Sequence, residues 1–204
     1  MNRRVTSQPP QPGPGAPRVT PEALFRAHAR FVASFVARLG CRPEDIEDAV
    51  QEVFLTVHRR GGFEPGVARA TTWLAEIALR VVSTQRRSAR RRLANPDESA
   101  VAVAMSPDAS PLEAAEQRAA LERVERALAS LDVDRRAVFV LFELEGESCE
   151  SIAAGFGVPV GTIHSRLHAA RKAFAQAYAR IERAVPSRAL QLSVARCETQ
   201  GGRP

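Results

Sequence analysis

The residues best suited to chemistry lie in one short run near the C-terminal end. Thr162, His164, Ser165, Arg166, His168, Arg171 and Lys172 share one side of a helical repeat. Ile163, Leu167, Ala170, Phe174 and Tyr178 share the other, at spacings of three to four residues. Hydroxyl, imidazole and guanidinium groups on one helix face contact phosphate oxygens and base edges. The residues just before them explain how such a face would be held. Ser151-Ile152-Ala153 reads as part of a short helix, with small Ala153 where two helices approach closely. Gly157 falls four residues later, where a sharp turn needs positive φ. Val158 follows as an apolar plug, and Pro159 stops the first helix but suits the start of the next. The pattern is that of a helix-turn-helix whose second helix, opening at Thr162, lies in a DNA major groove. A helical hairpin with a solvated basic face is the bland alternative.

Other chemistries find little support. His164 and His168 stand at i,i+4 spacing, but no acid or thiol pattern on that helix completes a metal site. Cys41, Cys149 and Cys197 are scattered and odd in number, which suits a reducing compartment and incidental thiols. No nucleophile-base set and no glycine-rich phosphate loop after a strand is present. The expectation is therefore a chain that is not an enzyme, with no catalytic residues, no metal and no cofactor.

Composition agrees with a polyanionic partner. Lys plus Arg outnumber Asp plus Glu by 29 to 23 over 204 residues, and the excess is almost entirely arginine, which suits phosphate contacts. Aromatics are only 5%, so the cores must be aliphatic and alanine-rich, which favours helix. No apolar run has the length of a membrane span. Arg3 and Arg4 are not followed by the apolar stretch of a secretory signal.

The elements around this run predict an all-α chain of two small helical domains joined by a flexible linker, with the helix-turn-helix in the C-terminal one. Residues 1–20, rich in Pro, Gly and Gln, cannot bury a core and are expected to be disordered. The first domain spans 21–92. Thr20 caps a helix with Pro21 at its first position, and Leu24, Phe25, Phe31, Val32, Phe35, Val36 and Leu39 form its apolar face up to Gly40. A second helix buries Ile46, Ala49, Val50, Val53, Phe54 and Val57. Its other side carries Asp45, Glu47, Asp48, Gln51 and Glu52, either a dipole-matched solvent face or a docking surface for a basic partner. A loop over 61–70 precedes a third helix that starts near Trp73, the only tryptophan. Arg80, Arg86, Arg87, Arg90, Arg91 and Arg92 follow with no acid between them, an electrostatic footprint for a phosphate backbone. Residues 93–110 read as a linker. The second domain spans 111–184. It begins with the capping box Ser110-Pro111-Leu112-Glu113 and a helix with Leu121, Val124, Leu128 and Leu131 inward. Asp132 caps the next helix, with Val133, Val138, Leu141, Phe142 and Leu144 inward, which ends at Gly146. Residues 185–204 form a tail with room for a short helix near Leu190 to Val194.

Two stretches together resemble the bacterial sigma-70 family, specifically the compact extracytoplasmic-function subgroup. One is Asp45-Ile46-Glu47-Asp48-Ala49-Val50-Gln51-Glu52-Val53-Phe54 with Phe63 and Trp73-Leu74-Ala75-Glu76-Ile77-Ala78. The other is Arg136 to Phe142, Glu145 to Ser148, Ser151-Ile152-Ala153 and Val158 to Leu167. The resemblance implies an RNA polymerase sigma factor that binds core polymerase and directs promoter recognition and transcription initiation. It implies docking on core RNA polymerase, at the clamp of the largest subunit and the flap, through Asp45, Glu47, Asp48, Gln51, Glu52 and Phe54. It implies −10 strand contacts from Phe63, Thr72, Trp73, Arg80, Arg86 and Arg87, and −35 contacts from Thr162, His164, Ser165, Arg166, His168, Arg171 and Lys172. The further partners it implies are promoter DNA and an anti-sigma factor. The expected state is a free monomer in the cytoplasm, at the nucleoid when active and held at the membrane when an anti-sigma factor binds it. The sequence departs from the family where Asn and Asp are usual, at Arg80 and Thr84, and at Ala169, where Arg is common. Two rivals fit parts of the chain. One is a helix-turn-helix regulator that dimerises on a palindrome without polymerase. The other is a polymerase-binding interaction module with no promoter role.

Overall fold

The computed structural model describes residues 17–92 and 111–184, with side chains outside 89–92 and 111–114. The expected linker, the 185–204 tail with its possible short helix, the capping-box side chains and the side chains of Arg90, Arg91 and Arg92 lie outside what is described. Among the described residues there are helices and one isolated bridge. The helices are α1 (Pro21–Arg38), α2 (Ile46–Arg59, entered by a 3₁₀ turn at Pro43–Asp45), α3 (Ala70–Arg92), α4 (Pro111–Ala129), α5 (Val133–Phe139), α6 (Cys149–Phe156) and α7 (Val160–Ala184). A π-helical turn, Val140–Leu144, continues α5.

Local chemistry accounts for most boundaries. The Thr20 hydroxyl accepts from Ala23 N and opens α1, while Asp132 and Ser148 cap α5 and α6 in the same way. Gly157 closes α6 at φ 64°, the left-handed cap that residues with a Cβ adopt at a cost. Residues 17–20 fall in the span expected to be disordered, yet Val19 bridges Phe63 in both directions, N to O at 2.8 and 3.0 Å; residues 1–16 of that span lie outside what is described. The second helix of the helix-turn-helix starts at Val160 rather than Thr162, because Pro159 has no N–H to leave unpaired and its fixed φ suits the position just ahead of a helix.

α1, α2 and α3 pack on one another, and α4, α5 and α6 each pack on α7. The two groups also meet, α3 lying against α6 and α5. Leu24, Phe35, Val53, Leu74 and Ile77 from the first group and Leu141, Ile152 and Ile163 from the second belong to one apolar cluster.

Two apolar assignments change. Phe25 is 50% exposed and meets Phe54 edge-on at 5.0 Å, at the margin of the α1 stripe. Leu144 is 48% exposed. Glu145 N bonds Val140 O, and this wider turn shifts the 3.6-residue phase that put Leu144 inward.

Candidate nucleic-acid interface

The apolar stripe of α7 sits as its spacing requires. Ile163, Leu167 and Ala170 are buried, and Phe174 stacks on Phe139 at 4.8 Å. That packing turns His164, Ser165, His168, Arg171 and Lys172 to solvent, with Thr162 and Arg166 half-buried beside them. The Ser165 hydroxyl donates to Thr162 O at 2.9 Å, which ties it to its own helix. Arg171 is held too. Its Nε donates to Glu143 Oε1 at 2.6 Å, and its guanidinium lies 5.0 Å from the Phe142 ring centre. The π turn supplies both partners, and nothing in the sequence pattern pointed to them. Ala169 is half-buried, so no cation stands at the position where the family commonly has one.

The proposed strand-capture residues lie around the start of α3 and along it. Phe63 is buried and packs against Trp73 at 5.4 Å, with the Arg60 guanidinium 5.8 Å from the indole. Trp73 is half-buried. Arg80 and Arg87 are exposed, and Arg80 pairs with Glu76, a buried carboxylate that Arg60 also approaches at 3.8 Å. The Thr84 hydroxyl donates to Arg80 O at 2.9 Å, so this departure from the family pattern folds back on the helix. Arg86 points toward the seam between the two helical groups. A Cβ on Gly40 would stand 3.1 Å from its Nη2 and 3.0 Å from Nη1 of Arg136. Burial, and then Arg86 beside it, pushes the Arg136 guanidinium down to about 10.

Thr72 is placed differently from the rest of its group. It is fully buried, its hydroxyl donates to Arg69 O at 2.9 Å, and it lies 3.4 Å from the Ser151 hydroxyl of α6. No strand reaches it in this arrangement.

The third surface lies on α2. Glu47, Asp48, Gln51 and Glu52 are exposed, Asp45 pairs with Arg42 at 2.8 Å, and Glu52 pairs with Arg59 at 3.2 Å. Phe54 is half-buried in an open groove with Phe25, Val50 and Leu55. The sequence pattern puts Phe25 on the apolar face of α1 and assigns Leu55 to neither face of α2. Leu55 falls outside the buried stripe of α2, which was the available signal.

Cys41 and Cys149 are buried free thiols, and burial pushes Cys41 up to about 11 and Cys149 upward. Among the described residues no helix is long and apolar enough to cross a membrane.

Sequence comparison places the chain in a known family. The family model described as "Sigma-70 region 2" matches residues 24–92, and "Sigma-70, region 4" matches residues 121–174. The chain is 34% identical over 156 residues to the ECF RNA polymerase sigma factor SigL of Mycobacterium tuberculosis, covering 74% of this chain and 84% of that protein. It is 35% identical over 150 residues to the RNA polymerase sigma factor CarQ of Myxococcus xanthus, covering 72% and 82%. Among solved structures, the sigma factor RpoE of Bartonella quintana, in complex with the anti-sigma factor NepR, has the same fold. Its TM-score is 0.59 at 24% identity, covering 76% of this chain and 94% of that one. The chain belongs to the sigma-70 family of RNA polymerase sigma factors, in its extracytoplasmic-function group.

Proposed function

We propose that this sigma factor carries its contacts on three surfaces, within two domains spanning 21–92 and 111–184. The cationic face of α7 reads the −35 duplex through Thr162, His164, Ser165, Arg166, His168, Arg171 and Lys172. Phe63, Trp73, Arg80, Arg86 and Arg87, with Thr72 once accessible, hold the melted −10 strand. The acid-rimmed groove between α1 and α2 docks on core polymerase through Asp45, Glu47, Asp48, Gln51, Glu52 and Phe54, and Phe25 and Leu55 join it. The observation that carries the reading is the coexistence of a solvent-facing cationic recognition helix and an acidic, apolar groove on one chain.

Each part has a physical role. Phosphate contacts position the protein and base contacts select the site. One monomeric helix-turn-helix makes few contacts, so tethering to polymerase supplies the effective concentration that its own affinity lacks. Holding unstacked bases offsets a few kcal/mol of unstacking per base. Residues 93–110 join the two DNA-reading parts. An anti-sigma factor is proposed as a partner, by likeness to the RpoE structure. The working place is the cytoplasm, at the nucleoid during initiation.

Transcription with purified core polymerase on fragmented genomic DNA, with starts mapped, tests this reading. Discrete starts that share two upstream elements are the expected result. Tight core binding without discrete starts would leave a polymerase-binding module, and absence of core binding would leave a polymerase-independent DNA regulator.

A further inference from the structure

The segment ahead of α1 is paired with the loop ahead of α3. Val19 N donates to Phe63 O at 2.8 Å, and Phe63 N donates to Val19 O at 3.0 Å. The Val19 side chain is half-buried against the apolar cluster. Beside this bridge, Arg18 Nη2 donates to Glu64 Oε2 at 3.2 Å, across 46 residues of sequence. Both side chains are more than half exposed, so the ion pair adds little to the two backbone bonds. Thr20 caps α1 from the next position. Residues 18–20 are thus fixed from both ends, in a stretch whose composition predicts no order. The match to the sigma-70 region 2 model begins only at residue 24.

Two adjacent glycines separate the demands on the loop. Both have positive φ, 72° at Gly61 and 91° at Gly62. Gly61 follows the C-cap of α2, and its N–H bonds His58 O at 3.0 Å. A Cβ on Gly61 would meet only the Arg18 guanidinium, at 3.5 Å. Glycine there answers the left-handed helix end. A Cβ on Gly62 would stand 2.2 Å from Val19 O and 3.3 Å from the Val19 carbonyl carbon. Those are backbone atoms of the bridge, and they give way only if the bridge opens. Gly62 therefore answers a second demand, the close approach of residues 18–20.

The bridge leads into the strand-capture surface. Phe63 is buried, and its ring lies 5.4 Å from the Trp73 ring. The Arg60 guanidinium is 5.8 Å from the same indole. Val19 holds the Phe63 backbone, and the Phe63 ring backs the half-buried Trp73. Bases stack on aromatic side chains, and a platform already in place avoids the cost of ordering it on binding.

We propose that residues 18–20 are a positioning strap for the −10 strand-capture surface, which holds the loop through Val19 and so fixes Phe63 against Trp73. The inference rests on the promoter reading above. The strap itself touches no base. It acts through Phe63 and Trp73, so its loss slows capture of the melted strand and leaves core binding intact.

Gly62→Ala and Val19→Pro test the strap, with Gly61→Ala as the control. Gly62→Ala expels the Val19 oxygen, Val19→Pro removes the N–H of the bridge, and Gly61→Ala carries left-handed strain alone. Trp73 is the only tryptophan, so its fluorescence reports the platform in the free chain. Gly62→Ala and Val19→Pro should red-shift its emission and increase its quenching by acrylamide, and Gly61→Ala should change neither. The second readout is transcription with core polymerase from a promoter identified by mapped starts. The template is used as a full duplex and with its −10 segment mismatched. Both strap variants should lose about fivefold on the duplex, the worth of roughly one hydrogen bond. They should recover most of that on the mismatched template, whose bases are already unpaired, and bind core as the natural chain does. Equal loss on both templates, together with weaker core binding, is the mark of mere instability and would overturn the proposal. So would Gly62→Ala behaving as Gly61→Ala does in fluorescence and on both templates. A natural chain that gives no discrete starts would instead refute the promoter reading, and the role of the strap would fall with it.

Discussion

Replacing Glu143 with glutamine should raise the affinity of the chain for duplex DNA, and mainly while Arg171 is present. The Glu143 carboxylate holds Arg171 Nε at 2.6 Å, with the side chains 32% and 52% exposed respectively. A pair this wet contributes about 0.2–1 kcal/mol. The stacking of Arg171 on Phe142 adds about 0.5–1 kcal/mol and can persist when the guanidinium meets a phosphate. Only the carboxylate must be released. Glu143→Gln therefore relieves at most about 1 kcal/mol, a gain of up to roughly fivefold in affinity. Arg171→Ala has the opposite sign. Loss of one phosphate contact lowers the slope of log K against log salt by about 0.9, or roughly a factor of 3.5 between about 50 and about 200 mM salt. The assay is fluorescence anisotropy of a labelled random-sequence duplex across that salt range, with both single variants and the double variant. A general effect of removing one negative charge would survive in the Arg171→Ala background, whereas release of Arg171 would not. An undiminished gain in the double variant, or an unchanged salt slope in Arg171→Ala, would refute the reasoning.

Asp48→Lys with Glu52→Lys should weaken binding to core polymerase by roughly tenfold while leaving thermal stability nearly unchanged, since both side chains are exposed. Surface plasmon resonance on immobilised core would check it, and equal affinity would remove α2 from the docking surface. Gly157→Ala should cost about 1–2 kcal/mol, because φ 64° strains a residue with a Cβ although the space around it is open. Calorimetry should show a melting point lower by several degrees, and an unchanged one would contradict the left-handed cap. The Cys41 thiol is raised from 9.0 to about 11 by burial. It stays neutral in the fold while the unfolded thiol ionises earlier, so its contribution is whole below pH 9 and is lost between pH 9 and about 11. Urea unfolding of the natural chain should lose more stability across that window than Cys41→Ala does, and parallel losses would exclude the thiol as a source. At pH 8 Cys41 should also resist alkylation until denaturant is added, read site by site by mass spectrometry.

The order and type of the helices, the turn at Gly157 and the cationic face of α7 were all legible in the sequence. These are local properties. A 3.6-residue apolar period, a hydroxyl or carboxylate cap and a left-handed glycine each act within a few residues of themselves. Thr20, Asp132 and the stripe from Ile163 to Phe174 therefore read correctly without a fold. The exposure of Leu144 did not, because one i+5 bond in the π turn reset the phase beyond Leu141. Phe25 and Leu55 belong to amphipathic helices, and only the packing of α1 on α2 leaves them in an open groove. Glu143 looked like one surface acid among many until the return of α7 set Arg171 beside it. The seam at α3 lay furthest from view. Thr72 and Ser151 are 79 residues apart in sequence and Thr71 and Glu147 are 76 apart, so no window of the chain contains both partners. Whether Thr72 faces a DNA strand or its own α6 is a consequence of which surfaces the folded chain brings together. Periodicity fixes which face of a helix is apolar, but only packing decides what covers it.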